Sequence, residues 1–198
     1  DENQAIREGT ASFAEIREVF ERACGSIESC DLMTSYRSSP EITALFTSLL
    51  DDEKRVRVES VQPAGTDPVI IECADDIDYA AQLRAAVEEA LEDRCLAAII
   101  APDARRMAKL EDMLGGLPIV IPARKEAIPD HGVVLLDIAL AKGLEFDQVI
   151  VPDVQQRSYP DETLARHRLY TAISRATRKV TLIANGKLTK LLSKCTVR

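Results

Sequence analysis

Apolar and polar positions follow two rhythms along this chain. Phe13, Ile16, Val19 and Phe20 recur at helical spacing. Ser12 with Glu15 three residues on has the form of a capping box, so a helix is predicted from Phe13 to about Cys24. Cys30 to Tyr36 reads as a short strand. Ser39 as N-cap and Pro40 at the first position open a helix running to about Leu50. The polar interval Asp51 to Pro68 reads as loop, with a weak strand at Val56 to Val61.

Regular alternation follows. Strands are predicted at Val69–Cys73, Leu96–Ala101, Ile119–Ile121, Val133–Asp137, Gln148–Val151 and Val180–Ala184. Helices are predicted at Asp75–Arg94, Pro102–Leu114, about Asp161 to Thr177, and Lys187–Leu192. Strands alternating with helices imply a mostly parallel sheet covered on both faces, an α/β fold. The turn at Gly143, between two apolar runs, carries Lys142, Glu145 and Asp147. Ligands in such folds are expected beyond the carboxyl ends of the strands, and this turn is taken as one such place.

Composition narrows the class. At 198 residues with 46% hydrophobic and 29% charged residues, the chain fits one soluble globular domain with a sizeable core. No apolar run approaches the ~20 residues that span a bilayer. Five cysteines, odd in number and without a CxxC pair, suit reduced thiols in a cytoplasmic protein, with Cys30 and Cys73 as small core residues. The net charge of -8 is unevenly spread: from Ala123 onward 13 Lys or Arg face 8 Asp or Glu, and the first 122 residues carry 12 against 25. An acidic front half argues against a general nucleic-acid coat, whereas the basic excess further on suits an anionic ligand.

Self-contained catalytic chemistry is missing. Nothing fits GxxxxGK[ST], Gly115-Gly116 closes a helix, and no HExxH pattern or Cys/His cluster suggests zinc. His131 and His167 have no nucleophile partner and are expected at the surface. Basic and polar residues do stand at strand–helix junctions: Gln4, Arg37, Lys142, Glu145 and Arg175.

In that order they resemble the later motifs of the UvrD-like helicases of superfamily 1. Asp1-Glu-Asn-Gln-Ala-Ile6 is similar to motif III; it also fits the DExQ of a Walker B motif, but the short distance to Tyr36-Arg37 favours motif III. Ser35-Tyr-Arg-Ser-Ser-Pro-Glu-Ile42 resembles motif IV, LAKGLEFDQVIV (140–151) motif V, and Leu169-Tyr-Thr-Ala-Ile-Ser-Arg-Ala176 motif VI.

The resemblance implies a RecA-like second motor domain without its own P-loop, covering residues 1–198, with 1–11 as a linker or motif III segment. It implies ATP with Mg2+ held between this domain and an upstream P-loop domain of the same protein. Gln4 would sense the γ-phosphate, Tyr36 stack on the base, and Arg37 reach the phosphates. Gly143 would approach the nucleotide beside Lys142, Glu145 would contact the ribose, and Arg175 would be the arginine finger. An always-charged, planar guanidinium suits charge developing at a transferred phosphoryl group. Placed on a second domain, it makes closure depend on ATP. The isolated chain is expected neither to hydrolyse ATP nor to bind it tightly.

Two departures qualify the expected DNA partner, single-stranded or duplex. The family's motif V usually begins with Thr and His facing the strand, where this sequence has Asp137 and Ala139. The interval from Phe46 to Asp137 is also too short for the family's large accessory domain. Both features, with the LAKGLEFD spelling, look closer to the HelD-like branch, which acts on RNA polymerase. A RecA-like interaction module without ATPase function is the remaining alternative.

Overall fold

The computed structural model describes residues 2–28, 34–50 and 58–193. Eight strands and six α-helices lie in these segments: α1 (Phe13–Cys24), β1 (Thr34–Ser35), α2 (Pro40–Ser48), β2 (Glu59–Ser60), β3 (Val69–Cys73), α3 (Asp76–Glu92), β4 (Leu96–Ala101), α4 (Ala104–Met113), β5 (Ile119–Val120), β6 (Gly132–Asp137), α5 (Ile138–Ala141), β7 (Phe146–Pro152), α6 (Thr163–Ile173) and β8 (Ala176–Asn185). Six strands form one parallel sheet in the order β3-β8-β7-β4-β6-β5, and β1 pairs with β2 as a separate parallel ribbon. Chain neighbours that are not sheet neighbours require crossovers over the faces, where the helices run.

Period-two patterning divides the sheet between two cores. On one face Ala98, Ile100, Val134, Leu136, Val149 and Val151 meet α2, α5 and α6 through Ile42, Phe46, Ile138, Leu169 and Ile173. On the other, Ala97, Ile99, Val133, Leu135 and Ile150 meet α3 and α4 through Tyr79, Leu83, Val87, Leu110 and Leu114. Strands buried on both sides explain why β4, β6 and β7 are continuous apolar runs. This is the mostly parallel α/β sheet expected from the alternation, and the RecA-like fold that the resemblance implied.

The helix starts follow local chemistry. Ser12 Oγ accepts from Glu15 N–H and the Glu15 carboxylate accepts from Ser12 N–H at 2.7 Å, completing the capping box. Asp75 caps α3 by accepting from the N–H groups of Ile77 and Asp78, and Asp103 caps α4 by accepting from Arg106 N–H.

Several expectations are corrected. Among the described residues the strand expected over Cys30–Tyr36 is only Thr34–Ser35, and the weak one over Val56–Val61 only Glu59–Ser60; positions 30–33 and 51–57 lie outside the described residues. The helix expected to Thr177 stops at Ile173, because Ser174 caps it and residues from Ala176 pair with β7 instead, a tertiary override of helix propensity. Of the final helix only a 3-10 turn at Lys190–Leu192 forms, while α5 was not foreseen. The stripe Phe13, Ile16, Val19 and Phe20 covers no part of the core: these side chains are 44–62% exposed, the sheet face being already filled by α2, α5 and α6. His131 is exposed as expected, whereas His167 is half-buried. Cys73 is buried and Cys95 half-buried; Cys30 and Cys195 lie outside the described residues.

Candidate nucleotide-facing site

Glu145 immediately precedes β7, and Arg175 occupies the two-residue turn between α6 and β8. Both therefore stand at the amino ends of adjacent strands. This corrects the expected location at the carboxyl ends: the chain crosses from the end of β6 back to the start of β7 through α5 before Glu145 is reached. Phe146 N–H donates to Arg175 O at 3.0 Å, locking the two turns together.

The third member arrives from far away in sequence. Ser38 Oγ donates to Ala176 O at 2.6 Å and Ser39 N–H to Thr177 O at 3.1 Å, clamping the entrance of α2 onto the start of β8. Arg37, next to this clamp, donates from Nε to Glu145 Oε1 at 2.5 Å. Tyr36, Arg37 and Glu145 line one shallow cavity of about 420 Å3 with Thr34 and Ser35. The Tyr36 ring stands 73% exposed at its edge.

Arg175 lies behind this pair, 1% exposed. Its Nε donates to Thr171 O (3.1 Å), Nη1 to Leu144 O (3.2 Å) and Nη2 to Ser174 Oγ (3.1 Å). It is thus no helical surface charge. Burial, with the neighbouring Arg37, lowers its pKa to about 10, and Glu145 works the other way. Two of its five N–H groups are not used by these three bonds.

The remaining predicted residues are elsewhere. Gly143 has φ +84, a left-handed turn that favours glycine, and a Cβ there would meet Lys125 Nζ at 3.4 Å. Lys125 Nζ donates to Lys142 O at 2.5 Å. Lys142 itself lines a different cavity, of about 260 Å3, with Ile6, Arg7, Thr10 and Ala139. Gln4, half-buried in a 3-10 turn at Glu2–Gln4, does not line the cavity beside Arg37. Its neighbour Ile6 inserts into the core and accepts from Arg168 Nε at 3.1 Å. Segment 2–6 is therefore a docked part of the fold rather than a free linker.

Sequence reasoning passed over two features of this edge. Ser38 makes the clamp that delivers Arg37, and only its place inside the motif-IV-like stretch hinted at that. A larger cavity, about 630 Å3, lies among Gly65, Cys95, Gln148 and Thr177. Much of its lining is loop 62–66, which carries no motif.

Comparison with known proteins finds likenesses over part of this edge. Residues 132–183, from β6 through the turn at Arg175 and into β8, match the model of the UvrD-like helicase C-terminal domain. That match spans 52 of the 198 residues and marks a similarity to the family over this segment. A solved structure, described as the C-terminal domain of a possible DNA helicase from Lactobacillus plantarum WCFS1, superposes with a TM-score of 0.68 and 28% identity over 81% of this chain and 93% of that one. A more remote likeness is arterivirus nonstructural protein 10, a helicase, at TM-score 0.41 and 13% identity over 62% of this chain and 29% of that one. A comparison with curated proteins gave no match. The matched segment contains Lys142, Gly143, Glu145 and Arg175, while Gln4, Tyr36 and Arg37 lie outside it. No helix among the described residues is long and apolar enough to cross a membrane.

Proposed function

We propose that this chain is the C-terminal motor half of an ATP-dependent DNA helicase or translocase, closing over ATP held by a P-loop domain of the same protein. One observation carries the reading: Arg37, Glu145 and Arg175, 138 positions apart at the extremes, converge on one edge of the sheet. Such convergence of charge at strand starts, without a nucleophile, suits binding and electrostatic work rather than covalent catalysis.

The residues fit a nucleoside triphosphate. The exposed Tyr36 ring offers a stacking face, and Glu145 carries acceptors for ribose hydroxyls. Arg37 offers a fork of donors matched to phosphate oxygens. Arg175, already desolvated, adds fixed positive charge behind them and serves as the finger through its unused N–H groups. Positive charge in a site closed to water stabilises charge on a transferred phosphoryl group more strongly than the same charge in solvent. Magnesium would be held by the phosphates and the P-loop domain, since no cluster of His, Cys, Asp or Glu able to hold a metal occurs among the described residues here. ATP would supply the phosphoanhydride to be cleaved; this chain binds, orients and excludes water. Alone, it turns over no ATP.

The test is the ATPase rate of the protein that joins this chain to its P-loop domain, with and without single-stranded DNA. Arg37→Ala is expected to lower turnover at least about a hundredfold, the usual loss when a positioned charge donor is removed. Near-normal turnover would overturn the reading.

A second reading, a HelD-like ATPase directed at RNA polymerase, is favoured by one feature. Residues 69–137 build β3 to β6 of the motor sheet itself, so no accessory domain interrupts it there. ATPase activity indifferent to DNA, with polymerase co-purifying after nuclease treatment, would select it.

A further inference from the structure

Tyr36 gives the proposed nucleotide site its stacking face, yet the ring stands 73% exposed, outside the core. Its pose depends on the backbone that carries it. A second stretch, residues 59–65, runs beside that backbone and holds it almost residue by residue. β1 and β2 pair Thr34 with Glu59 and Ser35 with Ser60. Ser35 O accepts from Val61 N–H at 3.1 Å, Tyr36 O from Gln62 Nε2, and Ser38 O from Ser60 Oγ at 2.7 Å. Ser60 Oγ in turn accepts from Gln62 N–H at 3.1 Å, which fixes the base of the glutamine side chain. One strap thus occupies the carbonyls of Ser35, Tyr36 and Ser38, while Tyr36 and Arg37 line the nucleotide-facing cavity. Gln62 lines the larger cavity of about 630 Å3 instead, so it supports the stretch without standing in the site.

The far end of the strap is anchored as closely. Pro63 restricts its backbone, and Gly65 N–H donates at 2.9 Å to Oε2 of Glu41, in the first turn of α2. A Cβ at Gly65 would meet Ser39 Cβ at 2.9 Å and Arg178 O at 3.4 Å. Glycine therefore lets the strap lie against the Ser38–Ser39 clamp that delivers Arg37. Gln62 and Tyr36 are both exposed, and a hydrogen bond between exposed groups replaces one to water and adds little to stability. Its use is orientation. A donor on the Tyr36 carbonyl limits rotation of the peptide from which the ring projects, so less ordering is left to do when a base stacks on it.

We infer that Gln62, held by Ser60, is a positioning residue for the Tyr36 platform: it sets how tightly the base of a nucleoside triphosphate is held and leaves the phosphates to Arg37 and Arg175. This rests on the nucleotide-site reading proposed above.

Steady-state ATPase kinetics of the protein that joins this chain to its P-loop domain test it, with inorganic tripolyphosphate as a competitor that has phosphates but no base. Gln62→Met keeps the length of the side chain and removes the donor. It is expected to raise KM for ATP about fivefold, in the range of one lost hydrogen bond, with kcat within about twofold of the wild type. Inhibition by tripolyphosphate should likewise stay within about twofold, since uniform binding is lost only where a base is present. In a Tyr36→Ala background the same substitution should leave KM where Tyr36→Ala alone puts it, because Gln62 acts only through the ring. Equal weakening of ATP and tripolyphosphate, an unchanged KM, a fall in kcat alone, or a further rise in KM in the Tyr36→Ala background would each overturn the inference. So would a Gln62→Met protein melting well below the wild type, which would show that the strap serves the fold instead. These outcomes leave the Arg37→Ala result standing, whereas near-normal turnover by Arg37→Ala removes the nucleotide-site reading itself.

Discussion

The two edges of the sheet each carry an arginine–carboxylate pair, and the pairs differ in almost every physical respect. At the amino edge, Arg37 and Glu145 meet through a single hydrogen bond with side chains 39% and 52% exposed. At the carboxyl edge, Asp153, which follows β7, is 1% exposed and receives Arg106 through both Nε and Nη2, the latter at 2.8 Å. Arg106 also lies over the Tyr79 ring, 5.7 Å from its centroid, and Asp153 holds φ +60, an uncommon conformation for a side chain other than glycine. The carboxyl edge between β4 and β7 is where the connections diverge, α4 leading toward one side of the sheet to β5 and α6 toward the other to β8. That is the usual ligand crevice of such folds. In this protein it is filled by an internal ion pair, and the exchangeable charges sit at the opposite edge. A buried pair is expensive to break and serves the fold; an exposed pair contributes little and can give its partners to a ligand.

That contrast can be broken by substitution. Asp153→Ala strands the Arg106 guanidinium, so unfolding free energy should drop by about 3–5 kcal/mol in urea or guanidinium titrations. A drop under about 1 kcal/mol would make the two pairs equivalent and remove the contrast. Combining Asp153→Asn with Arg106→Met removes the stranded charge and should be less destabilising than Asp153→Asn alone; no recovery would show that backbone strain, not charge, dominates there.

Arg175→Met probes the layer between the edges. It removes the Arg175 donor from Leu144 O and leaves Thr171 O with Ser174 Oγ alone, and should cost about 1–3 kcal/mol by the same titration. Glu145→Gln at the exposed pair should change stability by less than about 1 kcal/mol. A larger change would mean that this pair holds the fold as well.

The smallest expected effect concerns Glu41, which accepts from Gly65 N–H at 2.9 Å. That backbone bond is the main cause holding its carboxyl below the ordinary 4.5. A carboxylate with a lowered folded pKa stabilises above its unfolded pKa, and that contribution fades as pH falls through the folded value. Acid titration of Glu41→Gln should therefore lack a small stability step below about pH 4.5 that the wild type shows.

Much of the candidate site was legible in sequence, for a specific reason. The AKGLEF and TAISRA stretches are contiguous, and Glu145 and Arg175 are fixed by the turns those stretches make. Tyr36 and Arg37 stand out through the motif-IV-like stretch 35–42, within which Ser39-Pro40 also marks the start of α2. Lys142 was grouped with Glu145 because both flank the Gly143 turn of the motif-V-like stretch, yet Gly143 at positive φ turns the chain between them and sends them to different cavities. Spacing along a chain does not reveal which side of a turn a side chain takes.

The sequence by itself determined the alternation of strands and helices, the capped starts of α1 and α2, and the order of the four motif-like stretches along the chain. These depend on neighbours within a few residues: periodicity, caps and turn residues act locally. Tertiary structure alone decided the order of the strands and the early end of α6. It also decided the burial of Arg175, the docking of Ile6 and the exposure of the α1 stripe. Each of these is set by pairing and packing between residues tens to hundreds of positions apart, where the free energy of burying a surface depends on which partner surface is already taken.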